Sequence, residues 1–257
     1  MSLLERLKVE FSKKAPNWLY ALTKSIYRVL HRREVLILIP STKGYWISLK
    51  RGGRLYTPSP KGDWTSFIIK LDRASLIREG DVVVEAGACI GATVLSIAHK
   101  AGKVVAVEPD PLNLKFLCWN VKSHGLNNVI IVGKALWSVR TKLKLHLAST
   151  VTGPTVTPYV FSYTAKPLTG KYVEVEADTL DNILAELDVE KVDLLMMNIE
   201  GAELEALRGA EKTLRKTSKL RIDCHNERIK EEIRRILKER GFIVKLEEDY
   251  VHAKRGQ

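Results

Sequence analysis

The sequence predicts an α/β fold, in which helices cover both faces of a mainly parallel sheet. From Ser66 onward, short apolar runs typical of buried strands alternate with segments of helical spacing. Repeated strand and helix units of this kind form parallel sheets through right-handed crossovers. Residues 1–62 carry 13 Lys and Arg against three Asp and Glu, whereas the rest of the chain carries 29 against 27. We therefore expect a basic extension over residues 1–62 and one α/β domain over residues 63–257.

The extension is predicted to contain a basic amphipathic helix followed by two short strands. Its apolar residues recur at helical spacing, at Trp18, Leu19, Leu22, Ile26, Val29 and Leu30. The strands are expected in VLILIP and GYWISLK. The charge of the extension indicates RNA or an anionic membrane surface as partner, or else a solvated helix, and we favour RNA. Candidate RNA-binding residues are Arg28, Arg32, Arg33, Lys50 and Arg51.

Composition argues against several classes of protein. The longest apolar runs, such as Val35 to Ile39, are too short to cross a bilayer, and we expect a soluble, cytoplasmic protein without a membrane partner. The three Cys are scattered, which favours reduced thiols over a disulfide framework or a metal site. A single Gln and abundant Lys, Glu and Arg resemble the composition of thermophile proteins.

The α/β domain is expected to open with a nucleotide-binding turn. In DVVVEAGACIGATVLSIA a buried strand leads into Gly87 and Gly91, where the backbone can turn tightly beside a ligand, and a helix follows. At the end of the next strand, Glu108 can accept hydrogen bonds from both hydroxyls of a ribose. Glu85, the acid at the turn, favours a ligand with a cationic amino-acid end, which indicates S-adenosylmethionine. The alternative is that the glycines only make a tight turn and no ligand binds. Candidate cofactor residues from these segments are Glu85, Gly87, Cys89, Gly91, Glu108 and Pro109.

Further strands and helices are expected to alternate as far as the C-terminal region. The predicted segments are Leu112–Ser123, Val129–Val132, Leu180–Leu187, Val192–Asn198, Ala202–Arg215, Leu220–Cys224 and Glu227–Arg240. Asp110 is expected to cap the first of these helices. FIVKLEEDYVHAK predicts a hairpin that turns through Glu247 to Asp249.

One segment interrupts this alternation. Ser149 to Gly170 is rich in Thr, Pro and Gly, and contains Tyr159, Phe161 and Tyr163. Long loops in compact domains are commonly functional lids. We expect a mobile flap whose aromatic residues contact the substrate, the alternative being a plain surface loop.

The segment TLDNILAELDVEKVDLLMMNIEGAELEALRGAEKTL makes a family recognisable. Together with DVVVEAGACIGA, VEPDP and NVKSHGLNNVIIVGKALWS, it resembles the FkbM-type S-adenosylmethionine-dependent methyltransferases over about Asp81 to Asp223. The resemblance implies a class I, Rossmann-like fold whose mainly parallel sheet has seven strands. It also implies that Glu85 and Gly87 lie along the methionine part, that Glu108 binds the ribose, and that Ala135 and Leu136 flank the adenine. Cys89 stands where the family commonly has Asn.

The sequence departs from the family pattern after the fourth expected strand. The family often has Lys-x-Asp-x-Glu-Gly, whereas this chain has Met196, Met197, Asn198, Ile199, Glu200 and Gly201. Methylation of a hydroxyl usually needs a base or a metal to remove the proton. The Lys and Asp of the family pattern suit this role, and here they are replaced by Met196 and Asn198. Asn198 instead suits an amine, because its oxygen can orient an NH₂ group, although a strand-end cap is the alternative. Candidate catalytic residues are Asn198, Glu200 and His225, and no metal site is expected.

The sequence thus predicts an RNA methyltransferase that modifies an exocyclic amine of a base. Cytosine in ribosomal RNA is favoured, and a narrower expectation is an archaeal dimethylcytidine synthase of ribosomal RNA. An O-methyltransferase of a small molecule or glycan and a non-catalytic, cofactor-binding RNA assembly factor remain alternatives.

Overall fold

A computed structural model describes residues 38–41, 44–48, 54–57, 75–148, 168–224 and 226–256. Thirteen strands are described: β1 Leu38–Ser41, β2 Gly44–Ser48, β3 Arg54–Thr57, β4 Val82–Ala86, β5 Lys103–Val107, β6 Val129–Val132, β7 Ala135–Leu136, β8 Thr141–Ala148, β9 Leu168–Asp178, β10 Val192–Met197, β11 Thr217–Asp223, β12 Phe242–Leu246 and β13 Tyr250–Arg255. The described helices are α1 Ala92–Ile97, α2 Pro111–Ser123, α3 Leu180–Glu186, α4 Glu203–Arg208, α5 Glu211–Arg215 and α6 Glu227–Glu239. The expected helix around Trp18 to Leu30 lies outside the described residues.

The main sheet confirms the predicted α/β fold. Its seven strands have the order β12-β13-β11-β10-β4-β5-β6. The five strands from β11 to β6 are parallel, and β13 is antiparallel to both β11 and β12. The C-terminal hairpin is as predicted, because Glu247 N–H donates to Tyr250 C=O (2.8 Å) across its turn.

Apolar side chains cover the sheet on both faces. Along β4, Val83 belongs to one buried cluster and Val84 to another, and Met196 and Met197 alternate in the same way on β10. Successive residues of a strand point to opposite faces, so both faces of these central strands are buried. The continuous apolar runs in the sequence follow from this double burial.

A small N-terminal sheet has the order β1-β2-β3 and is antiparallel. The first two of its strands were predicted, whereas β3 was not. Leu55 and Thr57 of β3 are nevertheless fully buried. The N-terminal sheet therefore packs against the rest of the molecule through β3.

A third sheet, of order β7-β9-β8, was not predicted. β8 and β9 pair antiparallel, with Lys142 opposite Glu176 and Leu145 opposite Val173. Its inward residues Leu145 and Val175 are buried, while Lys142 and Glu174 are exposed. The loop that was expected to end at Gly170 ends earlier, because β9 already begins at Leu168.

The prediction of one helix over Ala202–Arg215 is wrong, because α4 and α5 are separate. Ala210 leaves the helical conformation (φ −126°, ψ 23°) between them. A Cβ on Gly209 would lie 2.2 Å from Trp137 O, so the break lets the backbone approach β7 closely. Asp181 then accepts hydrogen bonds from the Lys212 and Thr213 N–H groups at the start of α5.

Among the described residues, none forms a helix with the length and apolar character needed to span a membrane.

Candidate functional site

The turn after β4 is bound to the end of β5. Gly87 N–H and Ala88 N–H donate to Val107 C=O (2.9 and 3.0 Å), and Cys89 N–H donates to Glu108 Oε2 (2.8 Å). The carboxyl ends of neighbouring parallel strands lie at one edge of the sheet, where α/β folds bind ligands. Glu85, Gly87, Cys89 and Glu108, which were predicted as cofactor residues, are thus brought to the same edge.

Gly87 is required by a close backbone contact. It has φ +82°, and a Cβ at this position would lie 2.0 Å from Asn198 O. Asn198 N–H in turn donates to Ala86 C=O (2.9 Å), which fixes the end of β10 against the end of β4. The predicted catalytic residue Asn198 is therefore a direct neighbour of the predicted cofactor turn.

Cys89 adopts a left-handed conformation that is uncommon for residues other than Gly and Asn. Its φ is 52°, and Gly91 two residues later has φ +90°. Asn tolerates this region far better than most side chains, which gives a conformational reason for the Asn that the family commonly has here. The left-handed backbone directs Cys89 N–H to Glu108.

Glu108 is the central acid of this edge. Its side chain is 5% exposed, and its other oxygen, Oε1, accepts from Asp110 N–H (2.9 Å). Burial raises the pKa of Glu108 to about 7, although the Asp110 and Cys89 N–H groups oppose the shift. Each carboxylate oxygen can accept about two hydrogen bonds, and the Asn113 side chain also donates to Glu108, so the carboxylate retains acceptor capacity for a ligand hydroxyl. Pro109 is half-buried beside it.

Asp110 has the predicted role of helix cap. Its Oδ1 accepts from Leu112 N–H and Asn113 N–H (2.8 and 2.9 Å) at the start of α2. Pro111 occupies the first helical position, where no backbone donor is needed. The cap fixes the chain immediately after Glu108 and so helps to hold its carboxylate at the strand end.

Ala135 and Leu136, the predicted adenine neighbours, form β7 and are both buried. They follow β6, whose last residue Val132 accepts from Glu108 N–H (3.0 Å). Leu136 also belongs to the apolar cluster that contains Ala86 and Met197. The two residues therefore lie near the end of β6, and Leu136 contributes to the core as well.

The turn after β10 is shaped by a buried carboxylate. Glu203, 3% exposed, accepts hydrogen bonds at Oε1 from Ile199 N–H and Gly201 N–H (3.2 Å each). Burial raises the pKa of Glu203, the backbone N–H groups oppose this, and the nearby Asp223 adds to it. Glu203 therefore holds the turn that carries Glu200.

Asn198 and Glu200 are both half-buried at this edge. Glu200 has φ 53°, a left-handed conformation in which a Glu is strained. The side-chain amide of Asn198 makes no hydrogen bond to any part of the chain that the structure describes, so it can serve a ligand. Conformational strain and an available amide at a strand end are typical of a substrate site.

The end of β11 adds two buried groups next to this turn. Asp223 is buried, and Arg221 Nε lies 3.9 Å from its Oδ1. Burial raises the pKa of the Cys224 thiol to about 11, so Cys224 is uncharged at neutral pH. Cys224 N–H donates to Asp249 C=O (2.9 Å) and joins the C-terminal hairpin to this edge.

Several predicted site residues lie outside the described residues. They are the catalytic candidate His225 and the substrate candidates Tyr159, Phe161, Tyr163, Arg28, Arg32, Arg33, Lys50 and Arg51. Within the described ranges, no three His, Cys, Asp or Glu side chains converge on a possible metal position.

Sequence reasoning missed the role of Asn120 in α2. Its fully buried amide bonds Ile90 C=O in the turn after β4, and the backbone of Tyr56 in β3. An Asn on the apolar face of a predicted helix was a signal in the sequence. The sequence does not show, however, which segments this side chain joins.

Comparison with known proteins places this arrangement in a family. A family model described as the methyltransferase FkbM domain matches residues 85–244, more than half of the chain. No curated protein matches the chain significantly.

Known structures resemble this chain at low sequence identity. An FkbM methyltransferase from Methylobacillus flagellatus is 19% identical, with a TM-score of 0.52 over 71% of this chain. This chain covers only 46% of that protein. A precorrin-6Y C5,15-methyltransferase from Geobacter metallireducens is 13% identical, with a TM-score of 0.45 over 79% of this chain and 91% of its own. An rRNA methylase from Streptococcus thermophilus is also 13% identical, with a TM-score of 0.45 over 77% and 97%.

Proposed function

This chain belongs to the FkbM methyltransferase family and is a methyltransferase, and we propose that it transfers a methyl group from S-adenosylmethionine to an exocyclic amine of an RNA base. Family membership supports the methyl donor. The comparisons do not support the narrower expectation of a dimethylcytidine synthase, and cytosine in ribosomal RNA stays a prediction.

The turn after β4 and the acid after β5 fit the donor. Gly87 keeps the backbone open beside the end of β10, where a side chain would collide with Asn198 O. Glu108 would accept the ribose hydroxyls, and Glu85, which is buried near the end of β4, would lie along the methionine part. The donor supplies a methyl group bound to a sulfonium sulfur.

The observation that carries the proposal is the position of Asn198. It lies at the end of β10 against Gly87, where the family pattern often has Asp, and its amide is available. Met196 takes the place of the Lys and is buried in the sheet core. The strand therefore offers a hydrogen-bond acceptor in place of a base. An amine with its own lone pair needs such orientation more than deprotonation.

The chain's residues would then divide the work of transfer. Asn198 Oδ1 would accept a hydrogen bond from the substrate NH₂ and aim its lone pair at the methyl carbon. The bound donor would supply the methyl group, and its sulfur would keep the electron pair of the broken S–C bond. The amine proton must then leave, and the Glu200 carboxylate, which is half-buried two residues after Asn198, would accept it.

The charge of the extension supports RNA as the substrate class. The whole chain has a formal net charge of +12, and residues 1–62 carry 13 of its Lys and Arg. Contacts to phosphates supply much of the affinity of RNA-binding proteins. An excess of positive charge concentrated in one segment favours a polyanion over a small neutral metabolite.

Substitution of Asn198 tests the amine. Asn198→Ala should slow methyl transfer to protein-free RNA by on the order of a hundredfold, because orientation is lost. Asn198→Asp should retain part of the rate, since a carboxylate oxygen accepts the same hydrogen bond. A matched control is Asn128→Ala, because this half-buried Asn donates to Ala98 C=O and Ala101 C=O, away from this turn.

The same variants examine the second candidate, an O-methyltransferase of a small molecule or glycan. The family pattern with Asp at this position favours it, because Asp can deprotonate a hydroxyl. Under this alternative, Asn198→Asp would transfer methyl groups faster than the parent chain does. RNA would not be labelled, whereas the hydroxyl of a metabolite would be labelled.

A further inference from the structure

Asn120 joins three segments that are distant in the sequence. Its Oδ1 accepts from Tyr56 N–H (2.6 Å), while its Nδ2 donates to Tyr56 C=O (3.0 Å) and to Ile90 C=O (2.7 Å). The residue is 0% exposed in α2. A buried amide of this kind is costly to leave unsatisfied, so its partners are held together.

Ile90 is the centre of the predicted cofactor turn. It lies between Cys89 and Gly91, both left-handed, and its own side chain is fully buried. Gly91 packs on α2 as well, because a Cβ there would lie 2.6 Å from Leu117 Cδ1. Leu117 and Asn120 are three residues apart on one face of α2. This face of α2 therefore packs against the cofactor turn.

β3 docks on the same residue from the other side. β3 is an edge strand of the N-terminal sheet as described, and the N–H and C=O of Tyr56 both bond the Asn120 side chain. The flanking residues Leu55 and Thr57 are fully buried. One side chain thus holds both the strand that belongs to the basic extension and the turn that contacts Glu108.

We propose that Asn120 is a positioning residue that couples the N-terminal sheet to the cofactor turn, so that RNA bound by the extension and cofactor bound at the turn strengthen each other's binding. The identity of these two ligands rests on the proposed function. A shift of β3 would leave the Asn120 amide without its two Tyr56 partners and would release Ile90 C=O. Coupling of this kind is reciprocal, so each ligand raises the affinity of the other by the same factor.

The first test compares the fully buried Asn120 with the half-buried Asn128. Asn120→Ala should weaken binding of S-adenosylhomocysteine, measured by calorimetry, by about tenfold, as expected for lost hydrogen bonds at a buried site. Asn128 is the matched control, because its Nδ2 also donates to two carbonyls, Ala98 O and Ala101 O (2.8 Å each), beyond the other end of α1. Asn128→Ala should lower thermal stability and leave the affinity unchanged. Equal weakening by both variants would overturn the proposal.

A second variant decides the matter even if Asn120→Ala does not fold. Tyr56→Pro removes the N–H that donates to Asn120 Oδ1, and Pro is tolerated on an edge strand. It should weaken S-adenosylhomocysteine binding severalfold, although residue 56 is outside the turn. In the Asn120→Ala background it should weaken binding no further. An unchanged affinity in folded Tyr56→Pro would overturn the coupling.

Measurements of cofactor binding with and without RNA separate this inference from the proposed function. Protein-free total RNA should raise the affinity of the parent chain for S-adenosylhomocysteine, and this gain should disappear in Tyr56→Pro. A gain that persists in Tyr56→Pro would overturn coupling through Asn120. If RNA does not bind the parent chain at all, the proposed RNA substrate fails, while the affinities without RNA still decide the positioning role of Asn120.

Discussion

At the scale of single residues, Glu108 connects burial to cofactor affinity. Its pKa is raised to about 7, chiefly by burial, so a fraction of the carboxyl groups is protonated at neutral pH without a ligand. Ribose hydroxyls donate to the ionised form and therefore favour it. Binding should pull the pKa down and release a proton wherever the free protein still carries one, which is at and below about pH 7.

We therefore predict that the affinity for S-adenosylhomocysteine rises from pH 6 to pH 8 and levels off above. Calorimetry in two buffers of different ionisation enthalpy measures both the affinity and the proton release. Glu108→Gln is the control, because it should bind more weakly and lose this pH dependence. An affinity of the parent chain that is constant across this range, with no proton released, would contradict the account.

Cys89 gives a second test at the residue scale, since its φ of 52° disfavours most side chains. Cys89→Asn should fold as well as the parent chain, because Asn tolerates the left-handed region. Cys89→Val should lose about 1–3 kcal/mol of the free energy of unfolding, because a β-branched side chain is strained there. Urea unfolding measures both. Equal stability of the two variants would show that the backbone relaxes elsewhere.

At the scale of elements, the turn between β10 and α4 depends on Glu203. Glu203→Ala leaves the Ile199 and Gly201 N–H groups without their acceptor, and should cost about 1–3 kcal/mol of stability and lower kcat. Glu203→Gln retains an acceptor oxygen and should recover most of both losses. Chemical unfolding and methyl-transfer kinetics measure the two effects. The role is refuted if Gln is as damaging as Ala, because the charge rather than the hydrogen bonds would then matter.

The elements also show what the sequence could predict. β4, β5 and β10 are buried on both faces, so continuous apolar runs identified them. β8 and β9 were missed although Leu143 and Leu145 alternate with lysines, because their pairing partner is set by a long-range contact rather than by a local turn. The break between α4 and α5 depends on contact of Gly209 with Trp137 O, which no local pattern reveals.

The candidate site, too, could be predicted from the sequence where its residues lie in one local unit, but not where they come from distant segments. Gly87, Gly91 and Glu108 lie within one strand-turn-helix-strand unit, so local reasoning placed them together. The contact of Gly87 with Asn198 depends on β10 lying next to β4, and strand order cannot be obtained from local patterns. The bridge from Asn120 to Tyr56 spans 64 residues and required the structure.

At the scale of the whole molecule, the uneven charge predicts how RNA binding depends on salt. Replacement of Arg28, Arg32 and Arg33 by Ala should weaken RNA binding and reduce the salt slope of log K by about 2, if each contacts one phosphate of a single strand. A matched control replaces Arg228, Arg234 and Arg235 of α6, which carry the same charge; Arg228 and Arg235 are exposed and Arg234 is half-buried. Filter binding across a salt series measures the slopes. Equal slopes for the two triple variants would show that the extension has no special part in binding.

In the whole molecule, β3 of the extension and the cofactor turn are connected, because both bond the side chain of Asn120. The central claim remains the transfer of a methyl group to a base amine of RNA. It is tested most directly by incubating the full chain with labelled S-adenosylmethionine and protein-free RNA, and then identifying the methylated atom by nucleoside mass spectrometry. The account predicts label on an exocyclic amine with the parent chain and its near loss with Asn198→Ala. Label on a ribose or metabolite hydroxyl, with none on a base amine, would contradict it.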